Sequence, residues 1–312
     1  MNREKIPLIV LGGRDRRLAE QADQCRGNQP LKGYKGVALR IHGRPLIEIL
    51  IERMTATGVF GPVLIAGPRS IYGPLFPEIE IVDTDGTFGE NLRRSVEHVR
   101  QTLRPELVAV TTCDILPDPE ELEEALGDLR AHQPLDFWMP QIRVPEDTSD
   151  LGASEWKPKY RLVPAGETRS VPILPGHLLV CNPEAVRLRF VYRFFDLLYR
   201  TRNRPLAYRR LVLTRNLLWS LVVEDFKHLL SLRLPRIFFP VVYNSLMLTS
   251  KLKAGAASVT EAEDHIRRAF LKSGHQKRYP NRRGRVLLSP ALSLAKDIDT
   301  EEEARELERR AG

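Results

Sequence analysis

Four clusters of residues in this chain have the types and spacing to handle phosphate. The first is Leu11-Gly12-Gly13-Arg14-Asp15-Arg16-Arg17-Leu18, directly after an apolar run. Glycines let a backbone approach phosphate oxygens closely, and three arginines in four residues can neutralise a triphosphate. No Gly-Lys-Ser/Thr follows, so this is not a Walker loop, and the missing third glycine excludes a dinucleotide fingerprint. A Gly-Gly pair after a strand also serves simply as a turn. The second cluster begins at Lys35 and runs through Gly43-Arg44-Pro45-Leu46. The third is Cys113-Asp114-Ile115-Leu116-Pro117, an acid at the end of the apolar run over 107–112. Parallel sheets place ligands at such ends, and Mg²⁺ usually takes one or two protein carboxylates together with phosphates and waters. The fourth is Asp297-Ile298-Asp299-Thr300, although acids ahead of a helix also serve as caps.

The elements that must hold these clusters are legible from hydrophobic periodicity. Apolar runs at 6–11, 63–66, 79–82 and 107–112 read as strands, the last buried on both faces. Residues 44–58 read as a helix with Pro45 in its first turn, Leu46, Ile49, Leu50 and Met54 as its stripe, and Gly58 as its stop. A second helix from about residue 90 carries Leu92, Val96, Val99 and Leu103. Asp118 caps a third, with Pro119 at its first position and Glu121 closing a capping box. This alternation predicts an α/β, Rossmann-like fold, a mostly parallel mixed sheet with flanking helices.

Runs at 137–140, 160–163 and 173–180 add strands. A helical stretch dense in Arg, Leu, Phe and Tyr then extends from 183 to about 253. A helix over 260–272 is capped by Thr260 with Glu263, and 273–285 reads as a basic, mobile loop. A last strand over 285–288 and an acidic helix capped by Thr300 with Glu303 end the chain. The expected division is an α/β core over 1–184, a basic helical insertion or lid over 185–284, and a closing strand and helix over 285–312.

Hydrophobic content of 42% and charged content of 28% exclude wholesale disorder. Cys25, Cys113 and Cys181 form no Cys-x-x-Cys pair, which argues against a disulfide framework or structural zinc and for a cytoplasmic setting. The N-terminal apolar run reads as a first strand rather than a signal peptide. The best candidate membrane span, 237–249, is interrupted by Pro240 and Asn244 and falls short of about 20 residues. Charge is regional. Residues 185–255 hold 14 Lys and Arg against 3 Asp and Glu, whereas the whole chain carries +8. Such an excess calls for an anionic partner: a phosphorylated substrate, an anionic membrane surface touched peripherally at the inner face, or nucleic acid. Nucleic acid is the least favoured, because Phe190, Phe194, Phe195 and Trp219 recur at helical spacing as a packed face does.

Two features compete with the phosphate clusters. Asp83-Thr84-Asp85 is an Asp-x-Asp after a strand and would suit an NDP-sugar-dependent glycosyltransferase, but it also reads as a turn. His42, His98, His177 and His228 show no metal-ligand spacing. His177, in Leu174-Pro175-Gly176-His177, is read as an ordinary loop histidine, with contact to an acceptor as the alternative.

Taken in order, the four clusters resemble one family, the nucleotidyltransferases with a glycosyltransferase-A-like (GT-A) fold, in particular the molybdenum-cofactor guanylyltransferase-like branch. That family's Ala-Gly-Gly-x-Gly-x-Arg is matched by Leu11 to Arg17, and its Lys and Gly-Lys/Arg-Pro-Leu by Lys35 and Gly43 to Leu46. Its Asp-x-Pro is matched loosely by Asp114 to Pro117, and its Asp-Ile-Asp-Thr-Pro-Glu-Asp-Leu by Asp297 to Thr300. A helix-opening Asn-Leu recurs as Asn91-Leu92. The resemblance covers about 1–140 and 285–310. Asp15 stands in place of the second loop glycine, Lys35 is shifted by one residue, and Glu302 replaces the proline.

The resemblance implies a Mg²⁺-dependent nucleotidyltransferase that moves an NMP from an NTP to an anionic phosphorylated acceptor. It implies Asp114 with Asp297 or Asp299 as metal ligands, and Arg14, Arg17 and Lys35 on the phosphates. Gly12 and Gly13 would be backbone donors, and Asn91 would be among the nucleotide-binding residues. A glycosyltransferase, or a catalytically silent scaffold on a membrane or nucleic acid, would be the competing reading.

Overall fold

The computed structural model describes residues 4–14, 33–151, 159–201, 206–230 and 237–311. Its first strand, β1 (Ile6–Leu11), is buried along its whole length, as an unbroken apolar run requires at a sheet centre. Helix α1 (Lys35–Ala38), a small hairpin of β2 (Arg40–Ile41) and β3 (Arg44–Pro45), and helix α2 (Leu46–Ala56) follow. The second of these helices starts two residues later than periodicity predicts. Arg44 and Pro45 pair with Ile41 and Arg40, which makes Pro45 the N-cap and not a first-turn residue.

The strand–helix alternation continues through β4 (Phe60–Gly67), α3 (Arg69–Tyr72), β5 (Glu80–Asp83), α4 (Phe88–Thr102), β6 (Val108–Thr112) and α5 (Pro119–Ala131). Asp118 caps α5 as predicted, accepting from the backbone of Glu120 and Glu121. Glu121 does not close a capping box, however. Its carboxylate accepts from the backbone and hydroxyl of Ser293, at 3.0 and 2.5 Å. The tertiary partner gives the Ser293 N–H, at the start of a 3₁₀ turn, an acceptor that the turn itself does not supply.

Strands β7 (Leu135–Arg143), β8 (Tyr160–Leu162), β9 (Val171–Pro175) and β10 (Leu179–Cys181) come next, so the single strand expected over 173–180 is two. Helices α6 (Leu188–Thr201), α7 (Leu206–Leu230), α8 (Phe238–Ala254), α9 (Val259–Phe270) and α10 (Ser273–Arg278) precede β11 (Arg283–Ser289) and α11 (Glu301–Ala311). The capping box of α9 is formed by Ser258 and Glu261, not by Thr260 and Glu263. Glu263 instead accepts the backbone N–H of Val286 at 2.9 Å and ties α9 to β11. Residues 273–285, expected as a mobile loop, supply α10 and the start of β11.

The nine-stranded sheet has the order β5-β4-β1-β6-β10-β7-β9-β8, with β11 along the free edge of β7. Only β9 and β10 run against the rest, so the sheet is mixed and mostly parallel. Alternate residues of β1 feed two cores, one on each face. Leu8 and Val10 pack with Leu50 and Met54 of α2 and Leu122 and Leu126 of α5. Ile9 and Leu11 pack with Leu92 and Val96 of α4, Tyr192 of α6 and Ala262 of α9. The period of two in a strand thereby builds a helix–sheet–helix sandwich. Among the described residues, no helix is long and apolar enough to cross a membrane.

Candidate active site

Parallel register brings the carboxyl ends of four strands level. Leu11 lies opposite both Ala66 and Thr112, and Gly67 lies opposite Asp83. The loops leaving β1, β4, β5 and β6 therefore emerge side by side, with the glycine pair, Asp83–Asp85 and Asp114 on one edge.

The glycine pair is shaped by its neighbours. A Cβ on Gly12 would meet the Tyr72 hydroxyl at 2.6 Å, and one on Gly13 would meet the Asn91 amide nitrogen at 2.7 Å. Only glycine admits both side chains. The Gly12 N–H, expected as a phosphate donor, is donated to Ala66 O at 2.9 Å and extends the β1–β4 ladder. Asn91 is buried, and its Oδ1 accepts from Thr84 Oγ1 and Gly86 N at 2.8 and 3.0 Å. It ties the loop after β5 to the glycine turn. Arg14 pairs with Asp85 at 3.1 Å and lies 5.6 Å from the Tyr34 ring centroid, while the Tyr34 hydroxyl donates to Asp85. Arg17 lies outside the described residues.

The Asp-x-Asp that would suit a glycosyltransferase is engaged elsewhere. Asp83 accepts the backbone N–H of Arg69, and Asp85 holds Arg14 and Tyr34. Asp85 thus belongs to the rim of the site, a role its turn-like sequence conceals.

Lys35, in the first turn of α1, is ion-paired with Asp299 and stands 3.9 Å from Asp114 Oδ2. Burial disfavours the ammonium, but Asp114, Asp299 and Asp297 outweigh it and hold the lysine above its ordinary value. Asp299 is pushed upward, first by burial, with Asp297 and Asp114 adding to it against the pull of Lys35. One ammonium among three carboxylates leaves the cluster short of positive charge.

The three acids meet because the chain doubles back after β11. A 3₁₀ turn at Leu292–Leu294 is pinned by Ser293, whose hydroxyl accepts from Asp118 N. The following segment crosses the carboxyl edge, where Ile298 N donates to Asp114 O at 2.7 Å. The predicted Thr300–Glu303 capping box then closes, and Glu303 also accepts from Asp299 N. Asp297 and Asp299, flanking Ile298, end on either side of Asp114: Asp299 at Lys35, Asp297 at His177.

His177, read from the sequence as an ordinary loop histidine with acceptor contact as the alternative, stands beside the carboxylate cluster. Strand β10 runs antiparallel to β6 with Leu179 opposite Val110, so two residues back His177 falls opposite Thr112. Its Nδ1 lies 3.0 Å from Thr112 Oγ1 and its Nε2 2.9 Å from Asp297 Oδ1. Donor atoms of Asp114, His177 and Asp297 all lie within 4.8 Å of one another. Asp114 Oδ1 is buried without a hydrogen-bond partner among the described residues. A buried carboxylate oxygen in that state calls for a cation or ordered water.

Tyr199, on the last turn of α6, lies near enough to the three carboxylates to feel their charge and stacks on Phe88 at 5.1 Å. Burial, Asp114 and then the other two carboxylates raise its hydroxyl, so it stays protonated. The aromatics of this stretch read as core from periodicity alone, and only the path of α6 separates Tyr199 from them.

Cys113, adjacent to Asp114, is not a nucleophile. Burial and the neighbouring carboxylate push its thiol up to about 12, and burial does the same to Cys181. Neither should react with a thiol reagent in the folded protein at neutral pH, and both should react on unfolding. Peptide mapping after labelling checks this, and fast native labelling of Cys113 would contradict the packing.

No protein-family model and no curated protein matches the sequence. Among solved structures, a hypothetical transferase from Thermus thermophilus superposes with a TM-score of 0.57, covering 96% of this chain and 100% of its own at 22% identity. A CMP:2-keto-3-deoxy-manno-octonic acid synthetase complexed with CTP covers 99% of this chain and 98% of its own, at 11% identity and a TM-score of 0.49. The first likeness shows the fold, a mostly parallel mixed sheet with flanking helices.

Proposed function

We propose that the chain transfers a nucleoside monophosphate from a nucleoside triphosphate to a phosphorylated acceptor and releases pyrophosphate. The observation that supports this best is the pairing of Asp114, whose buried Oδ1 has no hydrogen-bond partner among the described residues, with Asp297 beside the buried Lys35. Two carboxylates at the carboxyl edge of a parallel sheet suit Mg²⁺, and Asp114 and Asp297 are the residues that would hold it. Bound there, it would neutralise phosphate charge and polarise the reacting phosphoryl oxygens.

The side chains around that pair have distinct tasks. His177, anchored on Thr112, stands beside Asp297 and would help to position it. Lys35 remains charged and would lie against the phosphates, released in part from Asp299 as they arrive. Arg14 is tethered by Asp85 at the mouth of the glycine turn, within reach of the triphosphate tail. An ionised phosphate oxygen of the acceptor attacks the α-phosphorus in line. As the new P–O bond forms, the bond to the α–β bridging oxygen breaks, and pyrophosphate leaves with that electron pair. No proton has to be removed, so alignment and charge neutralisation carry the reaction. The order of the motifs favours the molybdenum-cofactor guanylyltransferase-like branch within this reading.

Calorimetric titration with each NTP and with NDP-sugars, with and without Mg²⁺, tests the substrate class. At least one NTP should bind in a Mg²⁺-dependent way, more tightly than any NDP-sugar. Preferential binding of an NDP-sugar would favour the glycosyltransferase, and no nucleotide binding would overturn the reading.

A further inference from the structure

Apart from Tyr199, the basic helical region has no part in the proposed reaction. A cavity of about 530 Å³ lies between α4, the start of α6 and the helices beyond it. Arg93, Arg100, Arg187, Arg189, Arg193 and Lys272 line it, together with Glu97 as the one acid among its described lining residues. Arg100 is matched by Glu97 and Glu184, and Asp225, which caps α8 through Ile237 N and Phe238 N, also lends its charge to Arg187. Arg187 Nε is buried with no hydrogen-bond partner among the described residues. Such a concentration of guanidinium groups is suited to phosphate oxygens.

The rest of the wall is apolar. Phe190, Leu221 and Ile237 face the same space, so the cavity fits a ligand with a phosphate at one end and hydrocarbon at the other. Arg189 and Arg193 sit in the first turns of α6 and Tyr199 in its last. At 1.5 Å per residue, the cavity therefore lies roughly 10–15 Å along the helix from the carboxylate cluster. It is a separate site.

The adjoining helices present what a bilayer would cover. Trp219, Val222, Phe226 and Leu230 form one stripe of α7 at helical spacing, and all are exposed, Trp219 at 70% and Leu230 at 72%. Phe239, Tyr243 and Leu246 form a like stripe on α8, with Phe239 73% exposed. The inward faces are also apolar, with Leu221 and Val241 buried against Phe190. Helices apolar on both faces need a second partner. Aromatic side chains beside a surplus of arginine match an anionic lipid surface in both polarity and charge.

We propose that the cavity binds the phosphate headgroup of an anionic lipid while the exposed stripes of α7 and α8 seat in the same membrane surface. The proposal stands independently of nucleotidyl transfer, and its test reads binding rather than turnover. The full chain is co-sedimented with phosphatidylglycerol vesicles and with phosphatidylcholine vesicles, with inorganic phosphate as a soluble competitor. The wild type should pellet with phosphatidylglycerol and not with phosphatidylcholine, less so at high salt. Arg189→Glu/Arg193→Glu and, separately, Trp219→Ser/Phe239→Ser should each cut that binding at least tenfold. Both pairs are exposed, and thermal unfolding serves as the control for folding. Equal pelleting with both lipids, pelleting with neither, or binding unmoved by the arginine pair would overturn the proposal. So would displacement from phosphatidylglycerol by millimolar phosphate with the aromatic variant unaffected, which would assign the cavity to a soluble phosphate.

Discussion

Asp114→Asn is expected to lower nucleotidyl transfer at least ~10²-fold while the protein folds normally. The substitution keeps the shape of the side chain and leaves the backbone oxygen of residue 114 in its bond from Ile298 N. It removes one negative charge from a cluster that has three carboxylates and one ammonium. In the absence of nucleotide the variant should be no less stable than the wild type, because it relieves repulsion among the acids. In the presence of triphosphate and Mg²⁺ it lacks a charged ligand at the place where the reacting phosphoryl group would sit, and raising Mg²⁺ should restore little. Steady-state rates with thermal unfolding on the same samples separate the two effects. Unchanged turnover in a folded Asp114→Asn would remove the carboxylate from the reaction.

Lys35→Met should produce the second large effect, and this one is felt in stability as well. Lys35 and Asp299 are both largely buried and bonded to each other. Breaking a buried pair by removing one partner typically costs about 3–5 kcal/mol. The lower end is expected here, since the upward pressure on the Asp299 carboxyl lets it take a proton instead. Replacing both members, as Lys35→Met/Asp299→Leu, should return most of that stability, because the desolvation cost of both charges disappears. Triphosphate affinity should stay at least tenfold weaker in both variants. Denaturant melts and calorimetry measured together decide the matter. Full recovery of affinity in the double variant would reduce Lys35 to a structural residue.

The readable part of this molecule was the part fixed by local pattern. Alternating runs marked β1, β4, β5 and β6, and Asp114 followed from its position after an apolar run that had to be central. Thr300 and Glu303 announced the cap that holds Asp299, because a capping box is complete within four residues. His177 was opaque because its partners, Thr112 and Asp297, come from distant segments, and only the antiparallel register of β10 places it beside them. Glu121 and Glu263 each occupy a position where a capping box is the local expectation, yet both serve contacts far along the chain, to Ser293 and Val286. Asp85 was masked by its turn composition, and its use appears only once Arg14 is brought across from β1. Tyr199 carries the same periodic signal as the core aromatics around it. What separates it is the direction of α6, which tertiary packing sets.

At this edge of the sheet a triphosphate should be split between its α- and β-phosphorus. Phosphorus magnetic resonance of the chain incubated with each NTP, Mg²⁺ and pools of phosphorylated metabolites reads this directly. The expected result is the appearance of pyrophosphate together with a new phosphoanhydride signal, in equal amounts, abolished by chelation of Mg²⁺ and by Asp114→Asn. Release of NDP from an added NDP-sugar, or pyrophosphate formation that persists in Asp114→Asn, would contradict it.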